Sequence, residues 1–190
     1  MRSPSSLLTE DGHVCLSYMW GPETPVKTIS VNGRSFQIRH NLWRFLRTAR
    51  RLRALVDVWL WIDAICIDQQ NVAERNHQVQ QMAEIYANAR KVVVWPEPIT
   101  SIPSGIPPFS VLVKIAYRSL ATGSSVSTKI VETRALQLLY SKYWNRLWVL
   151  QELFLAKKLE VVASERILSW REFTDLVNKY SHYTESQADV

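Results

Sequence analysis

A chain of 190 residues that is 47% apolar is expected to be one domain with enough apolar surface to bury a core, which excludes global disorder. No stretch approaches the roughly 18 apolar residues of a membrane helix, and Met1–Ser6 has no apolar run behind it, so neither a transmembrane segment nor a secretory signal is expected. The net charge is +6, from 23 basic and 17 acidic residues, and five arginines between Arg44 and Arg53 hold much of the excess.

In chain order, residues 1–12 read as a flexible N-terminus. The first predicted strand is His13–Tyr18, and Gly21-Pro22 breaks the pattern soon after it. Asn32-Gly33 is the signal of a tight hairpin, with short arms at 29–31 and 35–38. Asn41 is expected to cap a helix running to about Val56. Its apolar side is Leu42, Phe45, Leu46, Ala49 and Leu52, and Arg44, Arg47 and Arg51 share another face. Those arginines suit an anion or nucleic-acid patch, or the solvated side of an amphipathic helix. No aromatic or glycine nucleic-acid motif accompanies them, so the solvated face is favoured and no nucleic-acid partner is expected.

The run from Trp59 to Ile67 is apolar at every position except Asp63. Without alternation it reads as a strand buried on both faces of a parallel sheet, with Asp68 at its carboxyl end, where open α/β sheets place their ligand crevice. Asn71 to Glu74 looks like a capping box, opening a helix that buries Val72, Val79, Met82, Ile85, Tyr86 and Ala89. Lys91–Trp95 is another strand, stopped by Pro96. Five prolines and a glycine mark 96–108 as a loop. Helices are expected at about 109–120, 129–140 and 145–157, and a short strand at 159–163. Ser169 to Glu172 is a second capping box, and the chain after Tyr183 is a polar tail. Strands alternating with helices predict an α/β fold: a mainly parallel sheet of about four or five strands, with a helical insertion near 96–140.

Cys15 and Cys66 both fall in apolar runs and are expected as buried free thiols. His13, His40, His77 and His182 show no ligand spacing with them, so no zinc site is expected. Only five glycines are present and none cluster, which argues against a glycine-rich phosphate loop. A Gly-x-Ser-x-Gly nucleophile elbow is also missing.

Three blocks carry a family resemblance. They are Leu16-Ser17-Tyr18-Met19-Trp20-Gly21; Leu60–Gln69 leading through Glu74-Arg75, Gln78-Val79, Met82, Ile85-Tyr86 and Ala89 to Val94-Trp95; and Tyr143–Leu153 with Ala156 beyond. In this order they resemble the fungal heterokaryon incompatibility (HET) domain, over residues 16–156. One departure is Trp95-Pro96-Glu97-Pro98, where that family usually has Leu-Gly. The resemblance implies an intracellular, cytoplasmic domain of fungal self/non-self recognition and programmed cell death, spanning 13–183 with a tail at 184–190. It implies self-association or other incompatibility proteins as partners. The variable recognition region common in relatives is missing here, which fits a truncated paralogue, a partial chain or a small stand-alone member.

The block order also resembles Toll/interleukin-1 receptor (TIR) domains, some of which cleave NAD with the glutamate of a Trp-x-x-x-Glu-Leu helix. Trp148–Leu153 has that spacing, so the resemblance implies Glu152 as a catalytic residue, with NAD as substrate and no resident cofactor. Ser17, Tyr18, Trp20, Asp68, Trp148 and Arg146 are the candidate substrate-binding residues. Each has a structural alternative. On a helix Trp144, Trp148 and Glu152 form one stripe, a setting that raises the pKa of a pocket acid. Glu152 would equally pair with Arg146 or Lys157. Asp68 would meet a ribose hydroxyl or fix a turn, and turn-fixing is favoured. Asp63 reads as an anchor for backbone or for Arg146. The rings of Tyr18 and Trp20 would stack on a base or fill the core. Arg75 and Arg146 would hold a phosphate or pair with an acid.

Overall fold

A computed structural model describes residues 12–96, 141–163 and 165–176. The expected helices at 109–120 and 129–140, and both termini, lie outside the described residues. Five strands form one sheet in the order β4-β1-β5-β6-β7. They are β1 (Val14–Tyr18), β4 (Leu60–Trp61), β5 (Lys91–Trp95), β6 (Leu159–Ala163) and β7 (Arg166–Ser169). β4, β1, β5 and β6 run parallel, and β7 returns antiparallel to β6. This is the mainly parallel α/β sheet that the strand–helix alternation predicts.

β1 and β5 lie inside the sheet and are buried at every position, which is why neither alternates in sequence. One core cluster joins Leu16, Tyr18 and Val93 of the sheet to Leu42 and Phe45. Another joins Val94, Tyr143, Val149, Val161 and Phe173. A separate hairpin pairs β2 (Val26–Val31) with β3 (Arg34–Arg39). Asn32 and Gly33 turn it with φ of 51° and 77°, the left-handed geometry that Asn-Gly tolerates.

α1 (His40–Ala49) follows the hairpin directly and buries Asn41, Leu42, Phe45 and Ala49. It is shorter than expected, since the chain turns at Arg50 and makes one 3-10 turn at Arg53–Leu55. Nor is Asn41 its cap. Its side chain is buried, donating to Met19 O and accepting from Trp95 Nε1.

The largest correction concerns residues 59–67. Only Leu60–Trp61 pair with β1, at the sheet edge, and Trp59 is 59% exposed. The chain then winds into α2 (Asp63–Cys66), with Ile62 and Ile67 as its buried ends. A short apolar run does not separate strand from buried helix by period alone. Consequently Cys66 is exposed while Cys15 is buried.

α3 (Val72–Asn88) begins at Asn71, whose Oδ1 accepts from Glu74 N at 3.1 Å. Glu74 reaches past the cap to the N–H of Asp68 instead of Asn71. Val72 and Val79 are exposed, and the helix packs through its C-terminal half at Tyr86. A 3-10 turn (Lys142–Asn145) leads into α4 (Leu147–Phe154), so the expected helix at 145–157 is shorter at both ends. The Ser169–Glu172 box forms as read, with Glu172 accepting from Ser169 N and Ser169 Oγ capping Glu172 N. The helix it opens starts at 170. Among the described residues no helix is long and apolar enough to cross a membrane.

Candidate functional site

The carboxyl ends of β1 and β5 meet the start of α4, and two distant parts of the chain, residues 17–18 and 143–152, converge there. Ser17 from β1 is fully buried and donates through Oγ to Glu152 Oε2. Tyr143 from the 3-10 turn, also fully buried, has its hydroxyl within hydrogen-bond reach of Ser17 Oγ. Arg146, one residue before α4, donates through Nη2 to Glu152 Oε1 at 3.2 Å and through Nη1 to Tyr18 O at 2.7 Å. A serine hydroxyl has one proton, and Ser17 gives it to the carboxylate. Tyr143 must therefore donate to Ser17, which sets the direction Tyr143 to Ser17 to Glu152.

Glu152 is 2% exposed. Burial pushes its pKa up, while Arg146 and the Ser17 bond pull it down and Asp63 adds to the rise. The net is a rise, so desolvation outweighs the guanidinium. Tyr143 is likewise raised, mainly by burial. A carboxyl held against ionisation beside its own positive partner is a recurrent feature of functional sites and of structural ion pairs alike.

Beside this cluster lies a cleft of about 640 Å³, within the usual range of small-molecule sites. Trp20 and Trp148 line it, together with Arg75, Lys142, Arg146 and Asp63. Asp63 accepts from Trp20 Nε1 at 2.7 Å and from Ala64 N at 2.7 Å, so it anchors backbone as expected but holds an indole in place of an arginine. Burial raises its pKa, with these bonds opposing. Gly21, with φ of 76°, turns the chain at the rim, a conformation glycine adopts without cost. A second cleft of about 530 Å³ adjoins the first through Trp20, Ile67 and Gln69. Arg39 lies 5.1 Å from the Trp20 ring centre on that side.

The structure thus brings Ser17, Arg146 and Glu152 into direct contact. Tyr18 is buried, and its carbonyl holds Arg146. Trp20 stands between the two clefts. Trp148 is 49% exposed and lines the larger cleft, which does not include Glu152 among its described lining. The expected aromatic stripe is broken, because Trp144 precedes the α-helix and packs on Phe173 and Trp170. Asp68 is exposed and stands apart from Glu152, on the second cleft, where Oδ1 accepts from Gln70 N at 3.0 Å and fixes the turn. Arg75 lines the larger cleft.

Tyr143 and Lys142 escaped the sequence reading. Tyr143 opens the third block, yet a lone tyrosine before Trp144 carries no signal of a hydroxyl aimed at Ser17, 126 positions away.

The family model for heterokaryon incompatibility protein (HET) matches residues 13–152. Heterokaryon incompatibility protein 6, OR allele, of Neurospora crassa is 40% identical over 94 residues, covering 44% of this chain. The matched region is 14% of the length of that relative. No solved structure matches.

Proposed function

This chain belongs to the heterokaryon incompatibility (HET) family, and from that premise we propose that it acts in fungal self/non-self recognition and the cell death that follows, by cleaving NAD at Glu152. The observation that carries the reading is the Ser17–Glu152–Arg146 cluster at the strand ends, beside a cleft lined by two tryptophans and three cations. Rings and cations together suit a ligand with flat bases and phosphates.

Breaking the nicotinamide–ribose bond builds positive charge on the ribose while neutral nicotinamide leaves with the bond's electron pair. Water then attacks the ribose carbon and loses a proton. A carboxylate near that carbon, or bonded to the ribose hydroxyls, stabilises the cation. Glu152 would supply that charge, and Ser17 with Tyr143 would orient it. The leaving group needs no general acid, so a single carboxylate suffices.

A second reading, a non-catalytic signalling module that acts by self-association or by binding other incompatibility proteins, also has an observation behind it. Glu152 is buried with both oxygens engaged, and α4 leaves Leu150 56% and Phe154 84% exposed. Expression in fungal cells at matched abundance separates the two. The NAD-cleaving reading predicts that wild type depletes NAD and kills, and that Glu152→Gln does neither. Death at constant NAD would establish the signalling reading instead.

A further inference from the structure

We propose that the basic side of the larger cleft is a phosphate subsite and that Arg146 is its latch: an anion held by Arg75, Lys142 and Arg146 draws Arg146 off Glu152. The role given to Glu152 rests on the reading above. Binding of the anion does not.

Two segments place three cations on this one cleft: the first turn of α3 (Arg75), and the 3-10 turn with the residue that follows it (Lys142 and Arg146). Arg75 and Lys142 are exposed, and among the described residues neither is paired with an acid. The acid on the cleft, Asp63, is already engaged by Trp20 and Ala64. Glu152 and Asp63 both act on Arg146, so the charge left without an acid partner is that of Arg75 and Lys142, and such positive charge attracts a polyanion. Trp20 and Trp148 flank it, so a base attached to the phosphates has a ring to meet.

Among the described residues, Arg146 is the one cation that both lines the cleft and touches Glu152. Its two inward bonds are unequal, 2.7 Å to Tyr18 O and 3.2 Å to Glu152. An arriving phosphate is an anion like the carboxylate, so it competes for the place that Glu152 holds on the guanidinium. Losing that bond leaves Glu152 held by Ser17 alone and without the guanidinium between it and the cleft. The exchange turns a closed, paired carboxylate into one available to a ligand, and only when the anion has arrived. Linkage makes the effect reciprocal: whatever weakens the Arg146–Glu152 pair must strengthen anion binding by the same factor.

The test is calorimetric titration of the purified chain with ADP and with inorganic pyrophosphate, neither of which has a nicotinamide bond to cleave. The latch predicts that both bind, ADP more tightly, and that affinity fades as salt rises. Glu152→Gln should bind ADP about fivefold more tightly or better, because Arg146 is released. Arg75→Ala/Lys142→Ala, at two exposed positions that leave the fold intact, should bind about tenfold more weakly. Wild type that binds neither probe overturns the proposal. So does Glu152→Gln with unchanged or weaker binding at an unchanged melting temperature, or a double variant that binds like wild type. The predicted binding pattern without any NAD cleavage would establish the subsite and remove the catalytic reading.

Discussion

Glu152 illustrates how residue type, burial and partner combine. Its pKa is raised from 4.5 chiefly by desolvation. Between 4.5 and the raised value, the folded state holds a proton that the unfolded state has lost. Stability should therefore fall as pH rises through that window, and level off above it. Glu152→Gln should abolish this slope while shifting stability at neutral pH by less than about 1 kcal/mol, since an ionised carboxylate held against desolvation contributes little net. Urea titrations of both proteins from pH 4 to 8 check this. Tyr143→Phe removes the hydroxyl that donates to Ser17 and should cost about 1 kcal/mol. The two thiols should also differ. Desolvation raises both thiol pKa values, but Cys66 is exposed and should react with a maleimide in the native protein, whereas Cys15 is buried and should react only after denaturation. Mass spectrometry of the labelled peptides reads this out. Both cysteines sit in apolar runs, so their different fates were invisible until α2 turned Cys66 outward.

Between elements, single polar side chains hold the frame. Asn41 ties the loop after β1 to Trp95 at the end of β5. Replacing it with Ala leaves a part-buried carbonyl and a buried indole N–H unpaired, for a loss of about 2 kcal/mol in chemical denaturation. Lys91 in β5 and Glu160 in β6 form a buried pair at 2.7 Å, with Lys158 also on Glu160. Burial alone would raise the Glu160 pKa, but the two lysines outweigh it and hold it below 4.5. That stability is present above 4.5 and is lost as pH falls through the depressed pKa. Glu160→Gln should destabilise by about 3 kcal/mol at neutral pH and blunt acid unfolding. The elements themselves were mostly legible. β1 and β5 show as runs without alternation, the hairpin as Asn32-Gly33, and α3 as Asn71 with Glu74. The run at 59–67 misled because its apolar residues serve an edge strand and a short helix in turn, and Asp63 starts the helix instead of interrupting a strand.

Across the whole molecule, parallel strand order places the ends of β1 and β5 together, and the site follows from that geometry. Ser17 was legible as a candidate from its place at the end of a strand, Arg146 as a cation that could hold a phosphate, and Glu152 through the resemblance of Trp148–Leu153 to the TIR motif. Their contact spans up to 135 positions, and no local pattern encodes it. Tyr143, Lys142 and the gathering of Arg75, Lys142 and Arg146 on one cleft became visible only once the chain had folded. The role of Glu152 is tested most simply by release of nicotinamide from NAD by the purified chain at high concentration, for wild type, Glu152→Gln and Ser17→Ala. Cleavage at Glu152 predicts release by wild type, none by Glu152→Gln at unchanged melting temperature, and a reduced rate for Ser17→Ala. Release that persists in Glu152→Gln, or wild type that folds, binds ADP and leaves NAD intact, would contradict it.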